Sequence, residues 1–242
     1  MIYKNKFYTK KKSFFKYFLI NFFKNKIINI IMSQVFFHNF CESRLNNNLP
    51  PEIFNSFTSF FITIIPLLYG FPKNNIFYNV ACMLAFNGCA SFYYHYTLSW
   101  YGKQADEISM ILATYYGIWG LLKMYYINDK IYLNWYNGWN NMFMINFIIL
   151  NTLIEYDYLF PILFSIYISL VLFLIHIVSL KFKLSYKNYL FISFIGAKCW
   201  IISEIFCNKY TTYGHVIWHL LFPLGFYNII LKFDNYISNI KK

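Results

Sequence analysis

Charge is what this sequence has least of. Only 12% of its 242 residues are charged, with 9 acidic residues set against 21 basic ones. A soluble domain needs far more polar surface than that, so a water-exposed globular protein is excluded. Alanine and arginine are also scarce, while Asn, Ile, Lys, Phe and Tyr abound, a pattern that reflects nucleotide bias as much as selection. There is no second domain, no internal repeat and no heptad pattern. The net charge of +12 has no basic aromatic platform on a soluble fold to go with it, so nucleic-acid binding is excluded as well.

What the chain does have is apolar sequence, 59% of it, arranged in long blocks. About 20 mostly apolar residues cross the hydrocarbon core of a bilayer as a helix. Candidate spans lie at 53–70, 76–101, 105–126, 141–157, 160–180, 188–207 and 213–232. The breaks carry polar stops such as Lys73, the segment Trp100–Gln104, and Lys181, Lys183 and Lys187. The 141–157 span is interrupted by Asn146, Asn151 and Glu155. The predicted fold is an all-α integral membrane protein, a seven-transmembrane helix bundle occupying 53–233.

Ahead of the bundle, residues 1–37 form a basic extension, with Lys4, Lys6, Lys10, Lys11, Lys12 and Lys16 before a short apolar stretch and Lys24 and Lys26 after it. A signal-like leader, an amphipathic anchor on anionic lipid and a true start at Met32 all fit. Residues 38–52 form a short N-terminal segment and 234–242 a tail. The side shared with the C-terminus carries Lys73, Lys123, Lys130, Lys181, Lys183, Lys187, Lys232, Lys241 and Lys242, and the other carries Lys103 and Lys209 but also Asp106, Glu107, Glu155 and Asp157. By the positive-inside rule the C-terminus is cytosolic and residues 38–52 are luminal. Trp100, Tyr101, Trp135 and Trp139 read as interface anchors.

Only five histidines are present. His215 and His219 are four apart and share a helical face, and His95 stands at the end of the second span. Ser91, one turn before His95, and Asp106, at the start of the third span, fall at the same luminal depth. Three neutral imidazoles suit zinc and leave a fourth position for water, which zinc makes acidic enough to act as a nucleophile. In that intramembrane zinc site Asp106 is the expected general base and Ser91 the donor to the oxyanion. A lone His176 reads as an ordinary bundle residue, and Glu107 as a candidate partner that orients a histidine. Lys198 and Glu204 are six apart and do not form a simple pair on one helical face. Pro223 is expected to kink the seventh helix.

Ser91-Phe-Tyr-Tyr-His95, Asp106 and His215-Val-Ile-Trp-His219, followed by Gly225, resemble the alkaline ceramidases of the CREST superfamily of seven-helix membrane hydrolases. The N-terminal flank strengthens the likeness. Phe40-Cys41-Glu42 stands where that family has Trp-Cys-Glu, Glu52-Ile-Phe-Asn55 and Trp200 seven residues before Cys207 match its segments, and the resemblance covers roughly 38–233. It implies a hydrolase that cleaves the linear amide of ceramide or a related sphingolipid to a long-chain base and a fatty acid. It further implies residence in the endoplasmic reticulum or Golgi, with a membrane lipid as partner and no obligatory protein partner.

The resemblance also implies a Cys41–Cys207 disulfide and a calcium ion near the zinc site. Glu42 and Glu52 match calcium ligands and Phe40 offers a backbone carbonyl. Asn39 stands where the family has Asp, and Arg44 or a neighbour replaces an Asn ligand. Arg44 is alternatively a salt-bridge partner for Glu42 and Glu52. An acyl-ester lipid hydrolase of the same superfamily, an adiponectin- or progestin-type receptor and a lipid-binding scaffold are the alternative readings.

Overall fold

The computed structural model describes residues 40–47, 49–154 and 159–240, all within one compact unit, Phe37–Lys242. The basic extension of residues 1–37, Asn39, Glu155, Asp157, Lys241 and Lys242 lie outside the described residues. Within them the chain is all helical. A short α1 (Cys41–Leu45) precedes α2 (Ile53–Tyr69), α3 (Asn75–Thr97), α4 (Trp100–Tyr125), α5 (Lys130–Leu153), α6 (Leu159–Phe182), α7 (Lys187–Ile205) and α8 (Tyr213–Ile240).

The helices after α1 match the expected blocks in order, with three shifts. The stop expected at 100–104 lies inside α4, because the chain turns earlier. Leu98 adopts a left-handed φ of 48° and is wholly buried, and the Ser99 hydroxyl accepts from Gly102 N at 3.2 Å, starting α4 at once. α5 begins well before residue 141, because Asp129 caps it by accepting from Tyr132 N. Its interrupting asparagines do not break it: Asn146 donates to Met142 O, and Asn151 to the Glu107 carboxylate.

The third shift is at the C-terminus, where residues 234–240, expected as a tail, continue α8. Asp234 is buried, and its two carboxylate oxygens accept from Lys73 N and Asn74 N, each at 2.8 Å, just ahead of α3. Pro223 lies inside α8, which is helical on both sides of it.

By length and composition, two stretches, Leu159–Phe182 and Tyr213–Asn239, are long and apolar enough to cross a membrane, while Ile53–Tyr69 is apolar but shorter. α3 and α4 carry polar residues on their inward faces, which lowers their hydropathy. Lys103, Gln104, Asp106 and Glu107 of α4 are all buried, as are Asn87, Ser91 and His95 of α3.

α8 packs between α7 and α2, α3 packs on α2 and α4, and α4 reaches α5 and α6. The α7–α8 contact is close because Gly214 and Gly225 face α7 directly: a Cβ on Gly214 would run into Cys199 O, and one on Gly225 into Ser193 Oγ. The core is built from Ile111, Ile118 and Leu121 of α4, Val171 and Leu174 of α6, and Ile229 and Phe233 of α8. The ends of α3 and α7 and the starts of α2, α4 and α8 meet at one end of the bundle, under α1.

Candidate metal centre and active site

His95, His215 and His219 are buried together at that end, with one ring nitrogen from each lying within 4.8 Å of the others. Their rings stand at steep angles, with centroids 4.7 to 5.2 Å apart. The helical pitch brings His215 and His219 onto one face of α8, and His95 approaches from the last turn of α3.

The second nitrogen of each ring is directed away from this point. His95 Nδ1 is 2.6 Å from Glu52 Oε2, and His219 Nδ1 is 3.1 Å from Thr58 Oγ1. The Thr58 hydroxyl donates to Phe54 O, which leaves its oxygen to accept from His219. Holding Nδ1–H in this way sets the tautomer that presents Nε2. His215 Nδ1 is buried without a hydrogen-bond partner, and its nearest acceptor, Glu204 Oε1, is 3.7 Å away. Three buried imidazoles converging on one point fit zinc with an open position.

Beside the histidines, the Asp106 carboxylate accepts from Asn87 Nδ2 at 2.8 Å, with the Ser91 side chain next to it. Asn87 also reaches Asp106 O and Ser109 Oγ, so its amide fixes the first turn of α4 as well as the carboxylate. Ser59 Oγ lies 3.1 Å from Ser91 Oγ and 3.5 Å from His219 Nδ1. Ser59, Thr58 and Asn87 are hydroxyl and amide residues of ordinary type, and nothing in their local sequence marked them. The one available signal was spacing, since Asn87 is one turn before Ser91.

The N-terminal flank closes over this end differently from expectation. Phe40 puts its ring against His215, at a centroid distance of 4.5 Å, and against His95 at 5.1 Å. Its carbonyl, expected to face calcium, accepts from Arg44 N and Ser43 Oγ. Glu42 accepts from Phe54 N at 2.8 Å and Asn55 N at 2.9 Å, satisfying the orphan donors at the start of α2. Burial raises its pKa even so.

Glu52 Oε1 accepts from Ser43 N, and Oε2 from Asn55 Nδ2 besides meeting His95. Burial alone would raise the Glu52 carboxyl, but its hydrogen bonds with His95 and Ser43 hold it below the usual carboxylate range. Calcium takes six to eight oxygens. Here each of the four oxygens of Glu42 and Glu52 accepts a protein hydrogen bond. Among the described residues, the histidines are the group of three or more His, Cys, Asp or Glu side chains gathered closely enough for a metal ion. Arg44 pairs with Glu204 at 2.9 Å rather than with Glu42 or Glu52. A disulfide joins Cys41 to Cys207, with their Cα atoms 5.3 Å apart.

Other polar residues have local partners. Glu107 accepts from Asn151 instead of a histidine, His176 Nδ1 meets Tyr186 Oη at 2.9 Å, and Lys198 sits over the Phe194 ring.

The Ceramidase family model matches residues 36–241. The chain belongs to the Ceramidase family. Alkaline ceramidase 1 from Mus musculus is 33% identical over 103 residues, an overlap covering 36% of this chain and 38% of the mouse protein. Alkaline ceramidase 1 from Homo sapiens is 24% identical over 225 residues, covering 81% of this chain and 82% of the human one. With the clustered histidines, this makes the chain an alkaline-ceramidase-like hydrolase with a site compatible with metal activation, and favours that reading over a receptor.

From the site of this Ceramidase-family chain a cavity of about 370 Å³ extends along the bundle. His95, Asp106, His215 and His219 stand at its head. Leu121, Ile229 and Phe233 line its far reach, where the walls are almost wholly apolar.

Proposed function

We propose that this protein is a seven-transmembrane zinc amidase that hydrolyses ceramide or a related sphingolipid to a long-chain base and a fatty acid. The observation that carries this reading is the joining of three converging histidines and a Ser91–Asp106 pair to the mouth of a deep apolar cavity. An amide between two hydrocarbon chains needs both parts: a polar reaction centre and a dry channel for a chain.

His95, His215 and His219 would hold the ion through Nε2. Zinc there supplies a water that ionises near neutral pH and an electrophile for the carbonyl. Asp106 takes the proton lost by the attacking water and delivers it to the departing nitrogen as the C–N bond breaks and the C–O bond forms. Asn87 keeps the carboxylate aimed throughout, and Ser91 donates its hydroxyl hydrogen to the carbonyl oxygen as negative charge gathers there. The Phe40 ring shields His95 and His215 on their outer side.

The bilayer setting is supported by the outward faces of the helices. Phe57, Leu67 and Leu68 on α2, Ile166 and Phe173 on α6, and Phe191 and Phe194 on α7 are all exposed, a density of apolar surface that water does not tolerate. With the C-terminus cytosolic, the site faces the lumen of the endoplasmic reticulum or Golgi.

The test is fatty-acid release from ceramide by the full chain purified in detergent, with zinc measured by elemental analysis. We expect zinc at one per chain, His215→Ala to lose both metal and activity, and Asp106→Asn to keep the metal and lose activity. Zinc present with no release from ceramide, but release from an acyl ester, would reassign the substrate. Absence of zinc from active protein would overturn the mechanism.

A further inference from the structure

Two of the three histidines have a close partner at Nδ1, and the third does not. His95 has Glu52 at 2.6 Å and His219 has Thr58 at 3.1 Å, whereas His215 Nδ1 is a buried nitrogen with none. A buried polar atom left unpaired calls for an explanation. The acceptor facing it is Glu204 Oε1, at 3.7 Å, beyond hydrogen-bond range but within the reach of a small side-chain rotation.

Glu204 is itself gripped from the N-terminal flank. Arg44, the sole arginine in the sequence, donates from Nη2 to Glu204 Oε2 at 2.9 Å and to Glu204 O at 2.8 Å. The second of these contacts satisfies a carbonyl in the last turn of α7, where the helix dipole also favours a cation. Cys41 N lies 3.4 Å from Glu204 Oε1, and the Cys41–Cys207 disulfide fastens the same segment just past the end of α7. The Glu204 side chain is only partly exposed, and its two oxygens point to different partners, Oε2 to Arg44 and Oε1 to Cys41 N and His215.

We propose that Glu204 is the positioning residue for His215, accepting its Nδ1–H so that Nε2 is held for the metal, and that Arg44 aims Glu204, so that the α1 segment sets the affinity of the metal centre. A carboxylate behind a ligating histidine fixes the ring and raises its basicity, and loss of such a partner weakens metal binding by about tenfold to a hundredfold. Both contacts come from the one Nη2 nitrogen, whose two hydrogens reach a carboxylate oxygen and the carbonyl of the same residue. The segment that resembles a calcium-binding flank thus ties itself to the bundle through an internal cation.

The inference rests on the zinc reading above, so His219→Ala is the control: if that variant binds zinc as the wild type does, the zinc reading itself fails. The experiment is zinc affinity of the full-length protein by competition with a fluorescent chelator, alongside thermal unfolding. Glu204→Ala is expected to lower zinc affinity about tenfold to a hundredfold. Glu204→Gln keeps an acceptor and recovers part of that loss, and Arg44→Ala gives a smaller loss than Glu204→Ala. The exchange Arg44→Glu with Glu204→Arg separates the roles. It restores the ion pair and the melting temperature but places a cation beside His215, so zinc affinity stays low. Wild-type zinc affinity in Glu204→Ala overturns the proposal. Recovery of both stability and zinc affinity in the exchange does so too, since it reduces the pair to a structural clasp.

Discussion

If the cavity takes a substrate chain as proposed, Gly117 would limit the length of chain that fits, and replacing it is a direct test of the assignment of that cavity. It lies on α4 eleven residues beyond Asp106, about 16 Å along the helix at ~1.5 Å per residue. It lines the cavity, and a Cβ placed there meets nothing within 4 Å. Gly117→Leu therefore fills space that the wild type leaves to substrate. A buried methylene contributes about 0.8 kcal/mol, so each one shut out lowers kcat/KM by about fourfold, and two or three by about tenfold to fiftyfold. The assay is kcat/KM on ceramides carrying hexanoyl, lauroyl and stearoyl chains. Hexanoyl ceramide ends short of Gly117 and keeps its rate, while stearoyl ceramide reaches past it and loses. Because glycine costs a helix roughly 0.5–1 kcal/mol relative to alanine, the melting temperature should not fall. A loss equal for all three chains at unchanged stability, or no loss with stearoyl, would refute the reasoning.

Three further outcomes follow from the same geometry. Asn87→Leu removes a buried donor from Asp106 Oδ1, and we expect kcat to fall by about 1–3 kcal/mol in barrier, with zinc content unchanged by elemental analysis. Asp234→Ala leaves Lys73 N and Asn74 N without their acceptor ahead of α3 and should cost about 1–2 kcal/mol of stability in thermal unfolding, with kcat/KM retained in the folded fraction. Stripping divalent metal with a zinc chelator should abolish activity until zinc is returned, whereas EGTA in the presence of zinc should leave it intact. Loss with EGTA and recovery with calcium would show that Glu42 and Glu52 serve an ion after all.

The sequence carried the site further than it carried the flank. Histidine is rare here and the helical repeat is rigid, so His215 and His219 were bound to share a face, and a common depth brought His95, Ser91 and Asp106 to the same end. In the flank, residue type was legible but the partners were not. The oxygens of Glu42 and Glu52 accept from Phe54 N, Asn55 N, Ser43 N and Asn55 Nδ2, and Glu52 also meets His95 Nδ1. Those donors exist only once α1 is folded against α2 and α3. Arg44 was likewise placed with its near neighbours in sequence, when its partner is 160 residues away.

By itself the sequence determined the helical blocks, because apolar runs and their polar stops are local properties. It also determined the reactive residue types, because imidazole, carboxylate and hydroxyl chemistry resides in the side chain. The tertiary structure alone decided which polar residues turn inward, and so why α4 is less apolar than a simple span. It also decided which buried acceptor stands behind each histidine and how far the cavity runs. These depend on contacts between residues far apart in the chain, and a buried polar group is tolerated only where such a contact satisfies it.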